Sequence, residues 1–135
     1  RRWALAVAGA GGIGLAGASG FVPTLGVTGC PDVGQIFTIA VDAAVGGAAG
    51  VLVAGPAPSF IPIAGGFLYV DPITLMIDLV ASGPTGVGGA GSVGLPVFTS
   101  DPAVAGFVVF LQAGFIDGAA PQGVSLTNGL ALIIG

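Results

Sequence analysis

The chain has 135 residues with two Arg, six Asp and no Lys, Glu or His, giving a formal charge of −4. That length encloses a single core. The scarcity of cations excludes nucleic acid as a partner, because phosphate contacts need clustered Lys and Arg. The absence of His removes the usual base of a hydrolytic triad.

The first stretch, "RRWALAVAGAGGIGLAG", sets Arg1 and Arg2 before an apolar run. A positive start followed by apolar residues is also the pattern of a secretion signal. The run from Trp3 to Ala18 is too short and too rich in Gly for a membrane helix, which needs about 20 apolar residues, so membrane insertion is not expected. The alternation reads instead as a strand of mature protein, with any leader already removed. Trp3, Leu5, Val7, Ile13 and Leu15 occupy odd positions with Gly9 and Gly11 between them, while positions 4 to 16 carry Ala or Gly at every even number. In a strand this places all the large side chains on one face and leaves the other nearly smooth. Residues 3 to 15 would extend about 43 Å at roughly 3.3 Å per residue, more than twice a usual strand.

Beyond residue 20 the pattern is a succession of short strands. "GQIFTIAVDA" places Phe37, Ile39 and Val41 on one face and Ile36, Thr38 and Ala40 on the other. Strands are also predicted in "VPTLGVT", "GVLVA", "SFIPIA", "FLYV", "TLMIDLV", "SVGLPVF", "GFVVFLQAGFI" and "VSLTNGLALII", separated by turns rich in Gly, Pro, Asp and Ser. Pro62 and Pro96 cannot donate to a ladder, so their segments are expected at edges or bulges. Gln112, inside the most apolar strand, is expected as a buried amide bonding loop backbone and fixing register. Most of the eight Phe fall at strand positions that look buried. The predicted fold is all-β: an antiparallel β-sandwich, Ig-like or jelly-roll-like, over 20–135, preceded by an extension strand over 1–19.

Candidate chemistry is thin. The Asp residues are scattered over turns without an aspartic-dyad motif, so no catalytic residue and no small-molecule substrate are expected. Asp71 and Asp101 precede Pro, and Asp117 precedes Gly. These three are secondary candidates for a structural Ca²⁺; the reading preferred over it is that each carboxylate bonds its own turn backbone, leaving no cofactor. Cys30 is the only cysteine. It forms no internal disulfide and is read as a small buried apolar residue, with interchain pairing as the other option.

Two resemblances carry the functional expectation. The blocks "VPTLGVTGCPDVGQIFTIAV", "SDPAVAGFVVFLQAGFID" and "APQGVSLTNGLALIIG" make the chain from Gly20 onward resemble a family of Gly, Ala and Val-rich β-domains found in large secreted bacterial proteins, often at their C-terminal ends. The resemblance implies a secreted β-domain without known activity. Its members often carry a second Cys able to pair with the equivalent of Cys30, and this chain lacks it. The N-terminal alternation resembles the extension of pilins that assemble by donor-strand exchange, which implies Trp3, Leu5, Val7, Ile13 and Leu15 as anchors and Gly9 and Gly11 over a shallow part of an acceptor groove. Arg1 and Arg2 would then meet the acidic body of another copy. The expected function is a non-enzymatic subunit of an extracellular, cell-surface filament, its partner an identical subunit. The alternative is a secreted binding or spacer module for carbohydrate or a surface protein, with the N-terminal strand packed on its own domain.

Overall fold

A computed structural model describes residues 6–8, 14–29 and 32–134. Among these, eleven strands and two short 3₁₀ turns follow in order: β1 (Ala6–Ala8), β2 (Thr24–Thr28), β3 (Ile36–Ala44), β4 (Ala49–Gly55), β5 (Pro58–Ile63), β6 (Gly66–Val70), β7 (Leu75–Val80), β8 (Gly91–Phe98), β9 (Val108–Ile116), β10 (Val124–Leu126) and β11 (Leu130–Ile133). The 3₁₀ turns cover Ala18–Gly20 and Pro102–Val104. All strand pairs are antiparallel.

The larger sheet runs β1-β11-β9-β4-β7, with β10 also paired to β9, and the smaller runs β2-β3-β8. Period-2 alternation decides which side chains meet between them. In β3, Phe37, Ile39 and Val41 are buried while Ile36 and Asp42 face solvent. Across the gap they meet Leu52 and Ala54 of β4, Leu111, Ala113 and Phe115 of β9, and Leu130 and Leu132 of β11, one continuous core. The fold is therefore an antiparallel β-sandwich, as the alternation predicts. Each large side chain fully removed from water here stabilises it by about 1.5–3 kcal/mol.

The hairpin β5-β6 forms a third layer. It closes through Ala64 and Gly65, both at positive φ (49° and 87°), the signature of a tight hairpin turn whose twist matches the strands it joins. The hairpin lies over the outer face of the larger sheet and is held there by Gln112, only 2% exposed. Its Oε1 accepts from the Tyr69 amide at 2.9 Å, and its Nε2 donates to the carbonyls of Phe67 at 2.9 Å and Thr127 at 3.1 Å. The amide is buried as expected, but two of its three partners belong to strand β6 and only one to a loop. Pro62 faces Phe67 one step beyond the Ile63–Gly66 pair that closes the turn, where strand N–H and C=O groups point out of the hairpin. Its missing N–H therefore costs no ladder bond, and the Phe67 carbonyl reaches Gln112 on the outer side of β6. Pro96 lies on β8, the edge of the smaller sheet.

The closing run "VSLTNGLALII" is two strands and not one. At the break, the Thr127 hydroxyl accepts from the Ala113 amide at 2.9 Å, in the way a strand carbonyl would. Asn128 turns away to β2, where its Oδ1 accepts from the Leu25 amide at 2.9 Å and its Nδ2 donates to the Leu25 carbonyl at 3.1 Å. This side-chain amide pairs with a peptide unit and ties the two sheets together. The run breaks because these two polar side chains take over backbone hydrogen bonding that a continuous ladder would have used.

Replacing Gln112 with Leu would leave one donor and two carbonyls buried without partners. Gln112→Leu is expected to lower stability by about 3 kcal/mol or more, measured by urea unfolding. A loss below about 0.5 kcal/mol would show that the hairpin layer does not depend on this amide.

Candidate functional site

The site candidate is the N-terminal strand together with the edges and clefts of the sandwich that can receive such a strand. Residues Ala6, Val7 and Ala8 add to the free edge of β11, opposite Leu132, Ala131 and Leu130 respectively. The pairing lies within one chain. Leu15, the last expected anchor, makes an isolated antiparallel bridge to Leu126, N to O 2.8 Å in one direction and 3.1 Å in the other. Arg1, Arg2, Trp3, Leu5, Gly9, Gly11 and Ile13 lie outside the described residues, as does Cys30.

What fixes the root of this strand is Asp117. It is 5% exposed. Its Oδ2 accepts from the Ala18 amide at 2.7 Å and its Oδ1 from the Ala119 amide at 3.0 Å. A buried carboxylate needs such donors, and here one comes from its own turn and the other from the segment leading out of β1. Gly17 is required beside it, because a Cβ there would fall on the Asp117 carboxylate. A second acid of the expected set behaves similarly on a smaller scale: Asp101 Oδ1 accepts from the Ala103 amide at 2.9 Å and caps the second 3₁₀ turn. Asp71 is exposed and precedes Pro72 across a cis peptide bond. Among the described residues no three His, Cys, Asp or Glu side chains stand close enough to share a metal ion.

At the opposite side of the sandwich the two sheets do not close. A cleft of about 290 Å³ opens between them, lined by apolar side chains that include Leu75 and Ile77 of β7, Leu95 and Val97 of β8, and Phe107 before β9. Its rim is wet: Leu75 is 53% and Phe107 60% exposed. Both flanking strands, β7 and β8, end their sheets, so each presents unpaired backbone groups on its outer side. On the other face of β7, Met76 and Val80 are also exposed.

The aromatic distribution corrects the expectation from sequence. Of the eight Phe, only Phe37 and Phe115 are buried, while Phe21, Phe60, Phe98 and Phe107 are exposed. The reason is that several strands are buried on one face only or lie at an edge, so half of their apolar positions meet solvent. Phe60 stacks on Phe67 with ring centroids 4.0 Å apart and lies 5.9 Å from Tyr69. Sequence reading also missed Asn128 and the Asp117–Ala18 contact. The Asn-Gly pair after a strand signals a turn, but nothing in the sequence names the distant backbone that such a side chain reaches.

If Asp117 and Gly17 act as one dock, Gly17→Ala and Asp117→Ala are each expected to cost about 1–2 kcal/mol, and the double variant clearly less than the sum. Chemical unfolding of the four proteins of this cycle measures the coupling; strict additivity would separate the two residues.

Among the described residues no helix is long and apolar enough to cross a membrane. No protein-family model, no curated protein and no solved structure matches the chain.

Proposed function

We propose that this protein is a non-catalytic structural subunit of an extracellular filament, in which the N-terminal strand of one copy completes the β-sandwich of the next. The observation that carries this reading is the amount of apolar surface left uncovered around unpaired strand edges. Leu75, Met76, Val80, Phe98 and Phe107 are all exposed. A chain without Lys or Glu has few groups to keep such a surface solvated. Copies of itself are the economical cover.

The β1-β11 contact supplies the mode. Among the described residues, Ala6–Ala8 pair at a sheet edge, so the strand can leave its own β11 and take the same place on another copy with no change in the bonds formed. Transfer in one direction leaves each recipient with a strand of its own to donate, and the chain of subunits does not close. Main-chain bonds give the affinity and alternate side chains set the register. Arg1 and Arg2 would approach a body whose charged side chains are all carboxylates, a small contribution at an exposed rim.

A second reading is favoured by two observations. Within one chain β1 does lie on its own domain, and Phe60, 59% exposed and backed by Phe67, is a flat apolar ring of the kind a sugar face covers. On this reading the protein is a secreted binding or spacer module.

The register separates the two. Val7 stands opposite Ala131, so Val7→Cys with Ala131→Cys, in a Cys30→Ser background, links the strand to whichever β11 it occupies. The filament reading expects a covalent ladder of multimers on non-reducing gels under assembling conditions. Monomers alone, closed on themselves, would favour the module. Removing residues 1 to 16 is expected to abolish filaments in electron micrographs while leaving a folded, less stable monomer.

A further inference from the structure

We infer that the cleft between the β5-β6 hairpin and the outer face of the larger sheet is a binding site for a neutral hydrocarbon chain. It is distinct from the strand-exchange edge and does not depend on that reading. The cleft measures about 420 Å³, within the usual size of small-molecule sites. Val51 and Val53 of β4 form its floor, and Ile63, Leu68 and Ile73 form its roof and rim. On the floor, Gly114 leaves room where a side chain would crowd Leu126 and Val124, which also line the cleft.

Three features fix the class of occupant. First, the floor strands offer no backbone. β4 is paired on both sides, to β9 and β7, and β9 is paired to β4 on one side and to β10 and β11 on the other. An inserted peptide strand would bury its own N–H and C=O groups without partners, at a cost of about 1–3 kcal/mol each. Second, the polar side chain at the wall, Gln112, already has its carbonyl and amino groups bonded to Tyr69, Phe67 and Thr127. It has little left with which to orient a polar ligand. Third, no charged residue lines the cleft among the described residues. A carboxylate or phosphate headgroup would find no counter-ion among these lining side chains. What remains is an occupant needing neither hydrogen bonds nor charge: an alkyl or isoprenoid chain with an uncharged end.

The full-length protein tests this with the neutral probe N-phenylnaphthylamine, whose fluorescence rises on entering an apolar site. Saturable binding at one probe per chain is expected, displaced by dodecanol and about tenfold less well by dodecanoate. Val51→Phe, which fills the floor, and Ile73→Trp, which narrows the half-exposed rim, are each expected to weaken binding about tenfold or more. Phe107→Ser, in the other cleft, should leave it unchanged. Should Val51→Phe fail to fold, the rim variant carries the test alone. Absence of saturation, equal displacement by dodecanoate, or loss of binding in Phe107→Ser but not in Ile73→Trp overturns the inference.

Discussion

The side-chain amide of Gln112 is the constraint on which the layering depends. A sheet with apolar residues on both faces has to be covered twice, and the smaller sheet covers only one face of β4 and β9. The second cover is a two-stranded hairpin, which is not stable in isolation. Its inner edge would bring unpaired backbone groups down onto Val51 and Val53. Gln112 resolves this by placing a peptide-like donor and acceptor opposite the β6 backbone, so the hairpin docks without burying an orphan. The same amide holds the hairpin off the sheet by the length of a side chain. Beside it, above Gly114, the gap stays open, so the apolar cleft is a by-product of the way the layer is attached.

Asn128 repeats the device between the two sheets, bonding both polar groups of Leu25. Two amides on neighbouring parts of β9 and the C-terminal segment thus join all three layers. Directional bonds of this kind select one register, whereas apolar contacts alone would tolerate a slip by two residues. The core supplies most of the stabilisation and the amides specify which arrangement it stabilises.

The strands were legible in the sequence because alternation is a local property. "FTIAV" states its two faces in five residues, and β3 buries Phe37, Ile39 and Val41 as written. Gln112 announced itself as a polar residue in an apolar run, though not its two partners on β6, which stand 43 and 45 positions away. The break after Leu126 was signalled by the turn pair Asn128-Gly129 but overridden by the apolar residues on both sides; only the fold shows that the Thr127 and Asn128 side chains replace backbone bonds. The exposed Phe residues were misjudged for a related reason. Alternation says that one face is buried but not that a strand such as β8 will end its sheet half-covered, since that depends on how many strands the chain has to pair.

Strand edges and clefts are therefore different kinds of surface in this molecule, and backbone accounting separates them. Where a strand ends a sheet, as β11 would without β1 and as β7 and β8 do, N–H and C=O groups point outward and call for another strand. Where the apolar surface is the face of fully paired strands, as under the hairpin, a polypeptide gains nothing from its own backbone there. Apolarity alone would treat the two alike. By backbone partners, an edge suits another strand and an enclosed face of paired strands suits a group that needs no hydrogen bonds, so under the proposed readings one small sandwich would assemble through its rim and hold a different occupant inside.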